Sequence, residues 1–162
     1  MATQALSTIS LVQNSAFGAV MLWKFGKAYQ DEKIGARPIL TSFFLVLPLV
    51  LHGPTLEEIR STNQSSGLSK FVSKLTVHRE RLLAVHERAL QLRGQTLEAL
   101  SAAVASDLLS VDYQSGHVRA NDVTVPKMPE RTKHHMSGAD KLGKWFARIP
   151  PNLAFSMLRV EP

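Results

Sequence analysis

Apolar and polar positions alternate at helical spacing along most of the chain. Asn14 is placed to cap a helix running to about Glu32, with Phe17, Val20, Met21, Trp23, Phe25, Ala28 and Tyr29 as a broad apolar face and Lys24 and Lys27 outside it. Gly35 and Pro38 then mark a loop. From Ile39 to Leu51 every position but two is apolar, so periodicity alone does not separate a buried strand from a short helix. Pro48 removes a ladder donor, which favours a helix bent or ended there. After Pro54, a turn or two of helix should open at Thr55, with Glu57 and Glu58 favoured by its dipole.

Ser61 to Gly67 is a polar loop, and Leu68 to Asp107 is strongly helix-forming. Leu68, Phe71, Val72 and Leu75 make one stripe; Leu82, Leu83, Val85, Ala89, Leu90 and Leu92 make a second. Gly94 should separate these from a third, built on Leu97, Leu100, Val104 and Leu108. The pattern then changes. Leu109–Tyr113 and His117–Ala120 flank Gln114-Ser115-Gly116 and read as a β-hairpin. The predicted fold is mainly α with a small β-hairpin (α+β), and helices leading into a hairpin are the order of a winged-helix-like module. Two parts are expected: residues 1–122 as a helical core, and 123–162 as an extended connector and a helix–strand pair packing back on it. In the second part, Val123–His135 is the connector, Ser137–Ala147 a helix capped by Ser137 and stopped by Pro150-Pro151, and Asn152–Val160 a final strand.

With 162 residues, 44% hydrophobic and 20% charged, the composition is that of an ordinary folded protein. No cysteine is present, which excludes disulfides, thiolate zinc sites, iron–sulfur clusters and cysteine nucleophiles. The first 20 residues lack the basic and apolar regions of a secretory signal. The apolar run Ile39–Leu51 is shorter than the roughly 20 residues needed to span a bilayer. The expected location is therefore cytoplasmic, with no membrane partner.

Candidate chemistry is sparse. The six histidines, at 52, 78, 86, 117, 134 and 135, include no metal-binding spacing, so no metal is expected. There is no GxSxG, SxxK, GxxxxGK[ST] or GxGxxG, and the carboxylates are scattered, so neither catalytic residues nor a cofactor is expected. What stands out is positive charge: the net formal charge is +6, and Lys127–Arg148 holds six Lys/Arg against two acidic residues. Arg79, Arg81 and Arg88 are candidate contacts to DNA or an acidic partner. Lys141, Lys144, Trp145 and Phe146 are candidate interface residues, a C-terminal helix closing the core being the plainer alternative. Phe43–Leu51 carries the same pair of readings, docking surface or core.

Four stretches together carry a family likeness: NSAFGAVMLWKFGKAYQ, FFLVLPLVLHGPTLEEI, ERALQLRGQTLEALSAAVASDLLSVD and KLGKWFARIPPNLAFSMLRVEP. They resemble the middle component of bacterial three-component ABC-ATPase systems, which are similar to Lamassu-type anti-phage defence. The resemblance implies a non-enzymatic adaptor subunit. Its partners would be an SMC/ABC-like DNA-sensing ATPase and an effector such as a nuclease, in an anti-phage or anti-plasmid complex where DNA contact is open to it. It implies no catalytic or ligand residues. The alternative is a stand-alone winged-helix DNA-binding regulator.

Overall fold

A computed structural model describes residues 14–161. The N-terminal residues 1–13, where no signal sequence is expected, lie outside the described residues. The centre of the fold is α1 (Ser15–Glu32), and Asn14 caps it as predicted, its Oδ1 accepting from the Phe17 amide at 2.9 Å. Buried residues ring most of α1, as a helix covered on several sides requires.

A 3-10 helix (Leu40–Leu45) runs into α2 (Val46–Val50), so most of Ile39–Leu51 is helical, while Ile39 itself pairs with His117 as an isolated β-bridge; residues 45–51 are buried and Thr41 is exposed. The helix continues past Pro48 to Val50. Pro48 is the third residue of α2, within the first turn, where proline is tolerated. The chain instead turns by 101° between this unit and α3 (Gly53–Ser61). α3 opens two residues before Thr55 because Pro54 is suited to a first helical turn. Glu57 and Glu58 consequently lie beyond that turn and form ion pairs with Arg60 and Arg81. No single helix among the described residues is long and apolar enough to cross a membrane.

Three helices follow: α4 (Gly67–Thr76), α5 (Arg79–Gln91) and α6 (Arg93–Ala105). The α5–α6 break falls at Leu92 rather than Gly94, which lies inside α6. Leu83, Leu90, Leu97 and Val104, read as parts of core stripes, are exposed; Leu82, Val85 and Leu100 take the buried positions. α6 ends in a Schellman closure. The Leu108 amide donates to the Ala103 carbonyl and the Asp107 amide to Val104, with Asp107 at φ +59°.

The hairpin is present, with shorter strands than the sequence suggests: β1 (Leu109–Val111) and β2 (Val118–Ala120), paired antiparallel as Leu109–Ala120, Ser110–Arg119 and Val111–Val118. Asp112 builds its turn, its carboxylate accepting from the amides of Gln114 and Ser115 and from the Ser115 hydroxyl. Those bonds hold the Asp112 carboxyl below its usual pKa, the Ser115 hydroxyl contributing most. The outer edge of β2 is covered by α1 and the loop before the 3-10 helix. Gln30 of α1 exchanges two hydrogen bonds with Ala120, at 3.0 and 2.7 Å, and the Val118 amide donates to the Pro38 carbonyl.

A long connector and a 3-10 turn (Glu130–Thr132) lead to α7 (Lys133–Ala147). α7 starts four residues before Ser137 because the Thr132 hydroxyl and amide both close on the Pro129 carbonyl, setting the helical entry early. α7 lies along α1, and Gly143 permits their approach. A β-carbon there would stand 2.3 Å from the Phe25 carbonyl oxygen.

The last element is not a strand but a helix, α8 (Pro151–Met157). Pro151 starts it, since the fixed proline φ suits a first helical position. Ala154, Phe155 and Leu158 then fall on one buried face. A second Schellman closure, Val160 amide to Phe155 carbonyl and Arg159 amide to Ser156 carbonyl, puts Arg159 at φ +57°.

Candidate functional site

The seven candidate contact residues do not form one surface. Trp145 and Phe146 sit on the face of α7 turned into the core. Trp145 is fully buried, stacked on Phe71 with ring centroids 5.6 Å apart, and its indole N–H donates to the Gln64 carbonyl at 3.0 Å. Phe146 meets Phe25 edge-on at 5.4 Å.

Lys141 and Lys144 are one helical turn apart but do different work. Lys144 pairs with Asp140 at 3.2 Å on the same helix. Lys141 reaches across to the end of α3 and donates to the carbonyls of Ile59 (3.0 Å), Arg60 (3.3 Å) and Thr62 (2.9 Å). Those acceptors belong to the negative end of α3, where a cation is favoured. Lys74 joins it, donating to the Ser61 carbonyl at 2.8 Å. Burial, helped by nearby Lys74 and Arg60, pushes the Lys141 ammonium below its usual pKa. Lys141→Met should therefore lower stability by about 1.5 kcal/mol, read as an earlier urea midpoint.

The three arginines of α5 divide in the same way. Arg88 is half-buried and ties α5 to the α2–α3 corner, donating to the Pro48 carbonyl at 3.4 Å and the Thr55 hydroxyl at 3.2 Å. Thr55 is fully buried, and its hydroxyl also lies 2.8 Å from His52 Nδ1. Burial lowers the pKa of Arg88, and burial followed by Arg88 and Arg81 lowers that of His52. The corner thus holds one fixed cation over a neutral-favouring imidazole. Arg81 lies 3.7 Å from Glu58 of α3. Arg79, at the start of α5, is exposed and enters none of the ion pairs among the described residues.

Two features escaped the sequence reading. The His52–Thr55–Arg88 knot joins residues up to 36 positions apart, and no motif spacing announces it. The second is an apolar cavity of about 270 Å³ between α5, the 3-10 helix and the C-terminal turn, lined in part by Phe44, Leu45, Ala89, Leu90 and Phe155. His86 stands at it, its Nδ1 accepting from the Glu161 amide at 3.3 Å. His135 packs edge-on against Phe17, and burial, then His134, lowers its pKa. Among the described residues no group of three or more His, Cys, Asp or Glu is placed to hold a metal ion.

The chain matches, over residues 2–162, the family model described as ABC-three component (ABC-3C) system Middle Component 3. No curated protein and no solved structure matches it.

Proposed function

The chain belongs to the Middle Component 3 family of ABC-three component systems, and from that premise we propose that it is a non-enzymatic adaptor bridging the system's ABC ATPase and its effector. On this reading the complex is cytoplasmic, is related to Lamassu-type anti-phage or anti-plasmid defence, and contains an SMC-like ATPase that senses DNA. The observation that carries the reading is the family match, which spans all but the first residue. The use made of the polar side chains supports it. Arg88, Lys141 and Trp145 spend their donors on carbonyls and hydroxyls of the chain itself, holding α3, α5 and α7 together. A rigid helical body with its strongest donors turned inward is suited to presenting surfaces to neighbouring subunits.

Tagged chain co-expressed with its two neighbouring genes, purified and analysed by mass spectrometry, tests the proposal. Recovery of a large ATPase together with the second neighbour's product is the expected result. Recovery of the chain without an ATPase, or bound to duplex DNA alone, would remove the adaptor reading and favour the DNA-binding regulator.

A further inference from the structure

The outer face of α5 carries apolar residues that the chain's own core does not cover. Leu83 and Leu90 are 56% and 58% exposed, and Leu97 and Val104, at 49% and 37%, repeat the same seven-residue interval on α6. Residues seven apart return to within about 20° on an α-helix, so Leu83 and Leu90 form one row along α5. Residues three and four positions away lie on the two sides of that row.

Those sides differ in sign. Arg79 falls on one, two turns from His86, whose Nδ1 accepts from the Glu161 amide, and Glu80 and Glu87 fall on the other. Arg79, Glu80, Glu87 and Arg93 take part in none of the ion pairs among the described residues. A single apolar row with a basic flank and an acidic flank is complementary to itself in one orientation. A two-fold axis parallel to the helix sets each copy's basic flank against the other's acidic flank; an antiparallel pairing sets like against like.

We propose that α5 is a homodimer interface, in which Leu83 and Leu90 of two copies pack in parallel and Arg79 of each copy faces Glu80 of the other. The proposal is independent of the adaptor reading, because it concerns the chain alone. The occupant is a second copy because the charge pattern matches this same surface.

Size-exclusion chromatography with light scattering on the purified full chain tests it. Wild type should run at twice the monomer mass at tens of micromolar. Leu83→Lys with Leu90→Lys should run as a monomer with an unchanged helical circular dichroism spectrum, since both side chains are already exposed. Arg79→Glu alone, and Glu80→Arg alone, should each raise the dimer dissociation constant about tenfold or more. An equimolar mixture of those two single variants should recover the dimer, because each reversed charge then meets its opposite. A monomeric wild type would overturn the proposal, and so would a dimer that survives the leucine substitutions. Failure of the mixed variants to reassociate would overturn the parallel pairing.

Discussion

Gly143→Ala should destabilise the protein by about 3 kcal/mol or more, lowering the melting temperature by about 6–12 °C. Helix propensity alone argues for the opposite sign, because alanine in a helix interior is favoured over glycine by about 1 kcal/mol. Packing decides the outcome. The added β-carbon would meet the Phe25 carbonyl oxygen at 2.3 Å and the Ala28 β-carbon at 2.9 Å. The first of these is backbone, so no rotamer change relieves it. α1 and α7 would have to separate, loosening Phe25, Leu142 and Phe146, which the core now buries. Gly94→Ala supplies the control. That glycine is also helical, but a β-carbon there meets nothing within 4 Å, so stability should rise by up to about 1 kcal/mol. Urea denaturation of both variants followed by circular dichroism reads the two signs. A stabilised Gly143→Ala protein would mean that the two helices are not in contact at this point.

That contact also shows where the sequence was readable. Asn14 and the apolar positions of α1 follow local rules, and the helix begins and ends where those rules put it. The hairpin was equally legible, because Asp112 and Gly116 shape its turn within five residues. Asn152–Val160 was misread as a strand: its run of apolar residues satisfies both periods, and Pro151 is a helix starter as well as a helix stop. The stripes of α5 and α6 were misread for a different reason. Apolar residues on these helices spread beyond the face that packs, and only the packed structure shows that Leu82 and Leu100 face inward while Leu83, Leu90 and Leu97 do not.

The candidate contacts were legible as residue types but not as roles. A basic residue on a helix reads the same in sequence whether it meets solvent, a partner or a carbonyl of its own chain. Lys141 and Arg88 are distinguished from Arg79 only by acceptors up to 82 residues away in the chain, at Ile59 and Pro48. Gln30 was invisible for the same reason: its two bonds to Ala120 span 90 residues and depend on the hairpin edge facing α1.

Trp145→Ala should cost about 3–5 kcal/mol, which for a domain of marginal stability is a large share of the total. The indole fills the space between α4 and α7, stacked on Phe71, and its removal opens a cavity that these two packed helices do not readily collapse. Trp145→Phe should cost much less, about 1.5 kcal/mol. It keeps most of the apolar volume, and the hydrogen bond it gives up leaves no orphan, since the Gln64 carbonyl also accepts from the Arg148 guanidinium at 2.6 Å. The pair of variants separates a core residue from an interface residue. A core role predicts losses of stability graded with volume, Ala well beyond Phe, and undiminished co-purification of system components with the folded Phe variant. An interface role predicts a near-normal urea midpoint in Trp145→Ala together with loss of those components. The complete burial of the ring places the expected result in the first group, and a folded, stable Trp145→Ala chain that no longer retained its neighbours would reverse that assignment.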